Sequence, residues 1–469
     1  MNLIPSESAP AEPDLKPVLK DKLWHVGTLT YTTVGLVILF AWLLWGDFAC
    51  AFKDRAVPAI FQLLLKKYGA SDMINGLLVG SLPGLIGMVL CPIISCKSDR
   101  HRGRWGRRIP FILISTPFAV LSMVGLAFSP TLGADLDRLM GRYSFGLNPS
   151  ILFSFGLFWM LFEVASFTAG SVIGGLINDV VPQVVIGRFY GMFRALSLLA
   201  GMLFNFWMLG KAETYFMWIF LGTAALYGGG FIIMCLKVKE GQYPPPPPAE
   251  PGRFGASGAF IAARTYFKEC FGHSYFPWYF VTMALSWMAF MPVNLFSVFF
   301  AKSIDMSMDT LGKCFALTYL ISVGLSYPIG ALSDRFHPLR VGLVVQGLYF
   351  VLALVGGLWI KGVWSFAVCL LLHGVLVGTW VTATASLSQR LFPREKFGQL
   401  SSAAGIVTSL CTIMVGPVMG LFLDYTNHVY RYTYLASSAI TLIAALGGAI
   451  LYRKFLALGG PDNYVPPIL

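Results

Sequence analysis

Glu163 stands within a long apolar run, FWMLFEVASFTAGSVIGGLIND from Phe158, that holds no other charge before Asp179. In a hydrocarbon environment a charged carboxylate costs several kcal/mol, so such a group is poised to take up and release protons. That makes Glu163 the first candidate for a proton-coupling residue. A second reading gives it a permanent cationic partner, such as Arg194, with a role in helix packing alone. Asp47 and Asp54 are seven residues apart, so at about 100° per residue they fall on nearly one helical stripe. Asp47 follows a run, Leu23 to Gly46, without Asp, Glu, Lys or Arg, and is favoured for binding a solute or a proton. Asp54 is flanked by Lys53 and Arg55, and either lines the same path or forms a neutralised ion pair at a membrane interface.

Sugars are bound by aromatic faces stacking on apolar ring surfaces while carboxylates and amides hydrogen-bond the hydroxyls. Trp42, Trp45, Trp159, Trp287, Asn294, Trp380 and Gln389 all lie in apolar runs and could serve that chemistry. Aromatic residues make up 15% of the chain, however, and most must pack between helices or form interfacial belts, so only the collection is informative. With Asp47 and Asp54, the residues Trp45, Asn294, Trp380 and Gln389 form the candidate solute site. Arg194, six residues into its run, has a side chain long enough to reach the headgroups instead of a cavity. A lone His373 reads as an interhelical hydrogen-bond partner and is left out of the coupling site.

Elements that could position these groups follow from composition. Of 469 residues, 56% are hydrophobic and 12% charged, and the mean hydropathy is +0.70, far from the balance of a water-soluble domain. The net charge of +12 is spread in short clusters between apolar runs and not gathered on one solvated face, which argues against a nucleic-acid partner. A span needs roughly 20 apolar residues, and runs of that kind fall near 29–57, 73–96, 109–129, 149–178, 189–210 and 214–236, then near 276–301, 314–333, 341–360, 362–389, 399–423 and 432–452. The expected architecture is an all-α membrane protein with twelve transmembrane helices in two six-helix bundles, 29–236 and 276–452. A tail, 1–28, precedes them; a linker, 237–275, carrying Pro244 to Pro248 separates them; and a tail, 453–469, follows. The Lys and Arg distribution places both tails and the linker in the cytoplasm, with the plasma membrane as the expected location. The eight cysteines lie in or beside apolar runs without metal-ligand spacing and read as small buried hydrophobes. Pro83-Gly84, Pro292, Pro328 and Gly416-Pro417 interrupt spans, as suits helices that rock around a cavity.

The halves echo each other. Pro92 to Arg100 reads PIISCKSDR after the second span, and Pro328 to Arg335 reads PIGALSDR after the eighth. A weaker pair, DVVPQVVIGRFYG from Asp179 and RLFPREKFGQLSS from Arg390, joins spans four and five of each half, a duplication typical of secondary transporters. The loops SDRHRGRWGRR from Ser98 and GALSDRF from Gly330 resemble the loop motif of the major facilitator superfamily. That resemblance implies a gating charge network at the helix ends, carried by Asp99, Arg100, Gly106, Arg107, Arg108, Asp179, Arg188, Gly330, Asp334 and Arg335. Ser95 stands where the motif usually has Gly, and four residues, His101 to Arg104, separate Asp-Arg from Trp105-Gly106-Arg107-Arg108. This lengthened form, with Pro110 after it, is similar to plant sucrose transporters and the glycoside-pentoside-hexuronide symporters. In the sucrose-transporter fourth span an acidic residue precedes Val-Ala and an Asp closes the helix. Glu163 and Asp179 take those places, with Glu for the usual Asp and one extra residue between the two acids.

The function expected from this resemblance is a proton-coupled symporter of a sugar or glycoside, acting as a monomer by alternating access. A transporter of a drug, organic acid or other non-sugar solute is the alternative, since the motif identifies the machine and not its cargo. An enzyme or a non-transporting sensor would need clustered catalytic residues or a soluble signalling module, and neither a nucleotide-binding loop nor a metal-ligand pattern is present. No cofactor and no metal are expected.

Overall fold

The computed structural model describes residues 23–182, 185–243, 245, 264, 266–393 and 397–467. Most of the proline run at 244–248 and residues 1–22 lie outside the described residues. Twelve long helices follow one another: α1 (Thr33–Lys67), α2 (Asp72–Arg100), α3 (Ile109–Met140), α4 (Leu147–Val180), α5 (Ile186–Trp207), α6 (Ala212–Lys237), α7 (Tyr275–Ser303), α8 (Met308–Phe336), α9 (Pro338–Trp359), α10 (Val363–Thr384), α11 (Phe397–Tyr425) and α12 (Tyr432–Ala457). Among the described residues eleven are long and apolar enough to span a bilayer, and α5, of 22 residues, carries the apolar stretch Met192–Trp207.

Two expectations about boundaries need correction. The first span does not end near residue 57: α1 runs ten residues further, past Pro58, to a last turn carrying Lys66 and Lys67. Cations suit a helix C-terminus, where they meet the negative end of the dipole. Asp47 and Asp54 therefore bracket the middle of α1, so the Lys53-Asp54-Arg55 triplet sits at mid-span and not at an interface. The tenth run also breaks at Thr384, and Leu387–Leu391 forms a separate short helix. The N-terminal tail is not featureless, since Trp24–Val26 pairs antiparallel with Leu29–Tyr31 ahead of α1.

The packing repeats between halves. In the first half α1 touches α5 and α6, α3 touches α4 and α6, and α2 touches α4; in the second α7 touches α11 and α12, α9 touches α10 and α12, and α8 touches α10. Adding six to each helix number converts one set into the other. The halves meet chiefly through the two symmetry-related pairs α2–α11 and α5–α8, with smaller contacts of α7 on α1 and α2.

Small residues bring these pairs close. A Cβ on Gly76 would collide with the Gly416 backbone, one on Gly420 with Asp72 and Met73, and one on Gly312 with Asn205. Such close approach is how helices associate in lipid, where no hydrophobic force drives them together. Gly76–Ser81 widens locally to a π-helix where α2 crosses α11 at Gly416, consistent with the π-bulge as an irregularity favoured at working sites. The named inter-half contacts gather toward the end of the molecule where α1, α7 and α11 finish. Toward the other end, which carries the loop after α2, the faces bearing Leu85, Val89 and Ile93 of α2 and Val323 and Tyr327 of α8 are exposed.

Candidate functional site

Asp54 and Glu163 flank a lysine inside the first half, and Asp47 lies two turns along α1 from Asp54. Lys53 is buried on α1, yet its Nζ lies 2.9 Å from Asp54 Oδ1 and donates to Ser166 Oγ of α4 at 3.0 Å. The ammonium also faces the Phe162 ring at 5.2 Å and the Tyr227 ring at 4.9 Å. A buried cation requires this combination of an anion, a hydroxyl and aromatic faces to offset lost hydration. Glu163, also buried, follows one turn after Trp159, whose indole N–H donates to Leu78 O of α2. Glu163 thus lies on the face of α4 turned toward α1 and α2, and the charges acting on it are Lys53 and Asp54.

Asp47 is 4% exposed, and its Oδ2 is buried without a hydrogen-bond partner among the described residues. Asp54, in contrast, has an exposed side chain that accepts from Cys50 Sγ at 3.6 Å. The stripe expected from their spacing is real, but it grades from a sealed carboxyl to an open one. Arg194 does not pair with Glu163; it lies in the electrostatic range of Arg55 and Tyr319. The sequence reading missed Lys53 as a member of the site. The run expected to end near residue 57 put it at an interface, and only the end of α1 at Lys67 moves it away from one.

The other solute-site candidates disperse. Asn294 is exposed on α7 and its Oδ1 meets His373 Nε2 at 3.0 Å, while His373 Nδ1 meets the Tyr349 hydroxyl at 2.9 Å. His373 is therefore a satisfied partner within the second half. Trp380 is buried edge-on between Trp287, at 5.7 Å, and Phe290, at 5.4 Å, so the exposed ring of that cluster is Trp287. Trp45 is turned toward α6, where its indole lies beside Gly230, about 160° around α1 from Asp47 by helix geometry. Gln389 sits exposed in the short helix after the break, next to Arg390, and so belongs to the helix ends and not to the middle of the molecule.

At the loop end the motif residues form a network within the first half. Arg107 grips Asp179 with two hydrogen bonds, Nε to Oδ2 at 2.9 Å and a terminal nitrogen to Oδ1 at 2.5 Å. Arg108 reaches Asp179 at 3.4 Å, Ser98 Oγ at 2.6 Å and the Asp99 carboxylate. Donating to the Asp179 carboxylate stabilises the charged guanidinium of Arg107 and raises its pKa. Glu240 was assigned to the linker, but it caps α3 by accepting from the backbone N–H groups of Arg107 at 2.9 Å, Arg108 at 2.8 Å and Ile109 at 2.7 Å. An anion at a helix N-terminus satisfies donors that have no partner in the helix and meets the positive end of its dipole. Tyr243 completes the set, donating to Glu240 at 3.0 Å beneath the Arg107 guanidinium at 4.2 Å.

Gly106 adopts a φ of +99°, the left-handed region that glycine enters without steric cost, and this turn aims Arg107 and Arg108 at Asp179. Asp334 pairs with Arg390 at 2.5 Å within the second half. Arg335 lies over the Phe336 ring at 5.3 Å, Gly330 faces open space and Arg100 is exposed. The Arg188 side chain lies outside the described residues.

At the opposite end a second cluster joins the halves. Asp424 of α11 accepts from the backbone N–H groups of Asp72 and Met73, both at 3.0 Å, and so caps α2. The buried Asp72 carboxylate accepts from the Tyr430 hydroxyl at 2.9 Å and meets His428 Nδ1 at 2.7 Å, while Lys66 Nζ donates to Tyr430 at 3.0 Å. Lys302 and Glu213 form another ion pair across the halves. The arrangement is a pair of bundles fastened at one end, with an intramembrane charge cluster between that fastening and the loop motif.

A family model described as MFS/sugar transport protein matches residues 43–428. No curated protein sequence matches the chain. Among solved structures, the chain is similar to a bacterial homologue of the human lysosomal transporter Spinster in an inward-facing, unoccupied conformation, at 14% identity and a TM-score of 0.65, over 92% of this chain and 99% of that one. It is also similar to a D-xylose-proton symporter, at 15% identity and 0.59, over 88% and 96%, and to the nucleoside transporter NupG, at 10% identity and 0.64, over 88% and 100%. These likenesses establish a shared fold, and with the family match over most of its length the chain belongs to the major facilitator superfamily: it is an integral membrane transporter of small molecules and not an enzyme.

Proposed function

We propose that the protein is a proton-coupled symporter of a sugar or glycoside that works by alternating access, with Glu163 as the coupling residue and Asp47 as a second proton site. The observation that carries this reading is the cluster of Asp47, Asp54, Glu163 and Lys53 at mid-membrane. One carboxyl oxygen there, Asp47 Oδ2, is buried without a partner. An ionised carboxylate so placed leaves its charge uncompensated, whereas a proton removes the charge. Asp54 is exposed and shares Lys53 with Glu163, so a proton arriving from water changes the balance of charge around the buried acid. Proton arrival thus biases which end is open, and the solute follows.

The sugar assignment is supported by the family description, MFS/sugar transport protein, by the D-xylose-proton symporter among the similar folds, and by the exposed Trp287 and Asn294 on α7. The test is uptake of a labelled glycoside into proteoliposomes under an imposed proton gradient. Glu163→Gln is expected to abolish gradient-driven accumulation while leaving exchange down a solute gradient intact. Accumulation at the wild-type level in this variant would reject the coupling role.

A further inference from the structure

We propose that Arg55 and Arg194 form a binding site for an anionic group, a carboxylate or a phosphate, carried by the transported solute. This rests on the reading of the face of α1 that carries Asp47 and Asp54 as part of the solute path. Arg55 follows Asp54 on that helix and projects across the gap between the halves, its guanidinium 5.1 Å from the Tyr319 ring of α8. Arg194, on α5, is exposed, and the charges acting on it come from Arg55 and Tyr319. Tyr319 sits against Gly201 of α5. The Tyr319 ring of α8 thus touches both Arg55 of α1 and α5, the helix that carries Arg194.

Like charges repel, and at mid-membrane each needs a counter-ion. Among the described residues neither guanidinium forms an ion pair. The acid beside them, Asp54, is taken by Lys53, and the buried Glu163 faces Lys53. A tyrosine ring face alone offsets part of one charge. Two unpaired guanidinium groups, each with a planar fork of donors, match the oxygens of a carboxylate or phosphate. Snorkelling, the other fate open to Arg194, would place it among headgroups, whereas its neighbours come from α1 and α8.

The same geometry links the anion to the proton. Asp47, Asp54 and Glu163 on one side and Lys53, Arg55 and Arg194 on the other are equal in formal charge, so each proton taken up by a carboxyl leaves one positive charge in excess. The incoming anion restores neutrality, and the loaded carrier crosses without moving net buried charge. A solute pairing sugar-like hydroxyls with one acidic group uses both the arginine pair and the polar residues of α7.

The experiment measures binding without a gradient, so that it stands apart from the coupling assignment. Thermal unfolding of the purified full-length protein is followed with D-glucuronate, D-glucose 6-phosphate and D-glucose at matched ionic strength. A saturable rise in melting temperature with at least one anionic probe and none with glucose is expected, and the two anionic arms separate carboxylate from phosphate. Arg55→Gln and Arg194→Gln are each expected to weaken that response at least tenfold, Arg194→Lys to retain part of it, and Arg138→Gln, in the last turn of α3 and exposed, to leave it unchanged. Glu163→Gln is expected to keep probe binding while losing driven uptake. Each glutamine variant is also expected to unfold no earlier than wild type without probe, because it relieves repulsion. No saturable response to either anionic probe, an equal response to glucose, or persistence of the response in Arg55→Gln/Arg194→Gln would overturn the proposal.

Discussion

Replacing Asp424 with alanine should open the end of the molecule that is shut here. The Asp424 carboxylate accepts two backbone N–H groups of α2, each at 3.0 Å, and it belongs to the other half of the chain. Losing a side-chain cap costs about 1–2 kcal/mol. The loss of charge at the dipole end adds about 0.3–1 kcal/mol. His428 approaches the same carboxylate only at 3.7 Å and adds little. A total near 2 kcal/mol falls almost wholly on one state, because α2 and α11 must part at this point when the end opens. With every 1.4 kcal/mol worth a factor of ten, the ratio of open to shut should rise roughly 30-fold. Spin labels at Arg142→Cys and Lys361→Cys, exposed on opposite halves beyond α3 and α9, report this separation on a background without native cysteines. Pulsed dipolar spectroscopy is expected to show a longer distance growing at the expense of the short one in Asp424→Ala. The Lys302–Glu213 pair across the halves keeps part of the population shut. A distance distribution within threefold of wild type, in a variant whose overall unfolding is unchanged, would refute the view that this cap holds the end closed.

Three further outcomes follow from the same geometry. Glu240→Ala removes the acceptor for three N–H groups at the start of α3 and should lower stability by about 2 kcal/mol, read as an earlier melting transition, with Glu240→Gln losing less; equal melting of Glu240→Ala and wild type would show that the cap is idle. Arg107→Lys cannot reproduce the two-pronged grip on Asp179 and should destabilise the loop end by about 1–2 kcal/mol, measured as faster hydrogen exchange in residues 101–108; unchanged exchange would count against the grip. His337 adopts a φ of 74°, stacks on Phe455 at 4.5 Å and is buried near Arg390 and Arg340, so burial first and those cations second push its pKa down from 6.5 to about 4. The unfolded chain then binds the extra proton between these values, so stability is fully present above about pH 6.5 and falls toward pH 4, by at most about 3 kcal/mol. His337→Asn, which keeps a residue tolerant of positive φ, should flatten melting temperature against pH across that window; parallel curves would exclude His337 as the source.

The fold was legible because its signals are local. Twelve apolar runs, the repeated PIISCKSDR and PIGALSDR loops and the family motif give the spans, the two halves and the loop residues that become the Arg107–Asp179 network. Glu163 and Asp47 were also legible, since an acid inside an apolar run is conspicuous wherever its helix turns. Span ends were less so: α1 continues past residue 57 because its last turns, though they hold Gln62 and Lys66, still pack against neighbours. Pairings between helices left no mark in the chain. Lys53 looked like part of an interfacial triplet until α4 supplied Ser166 and Phe162, and Glu240 looked like linker until it met the start of α3. Trp45 and Trp380 looked like sugar platforms until helix rotation turned one toward α6 and buried the other.

Sequence by itself therefore determined that this is a two-bundle membrane carrier with acids in its spans, because hydrophobicity and charge along one chain settle what the bilayer accepts. Tertiary structure decided which charges meet. Asp72 with Asp424, and Arg55 with Tyr319, are brought together by the rotation and crossing of helices far apart in sequence, fixed by close glycine contacts that only the folded pair of bundles creates.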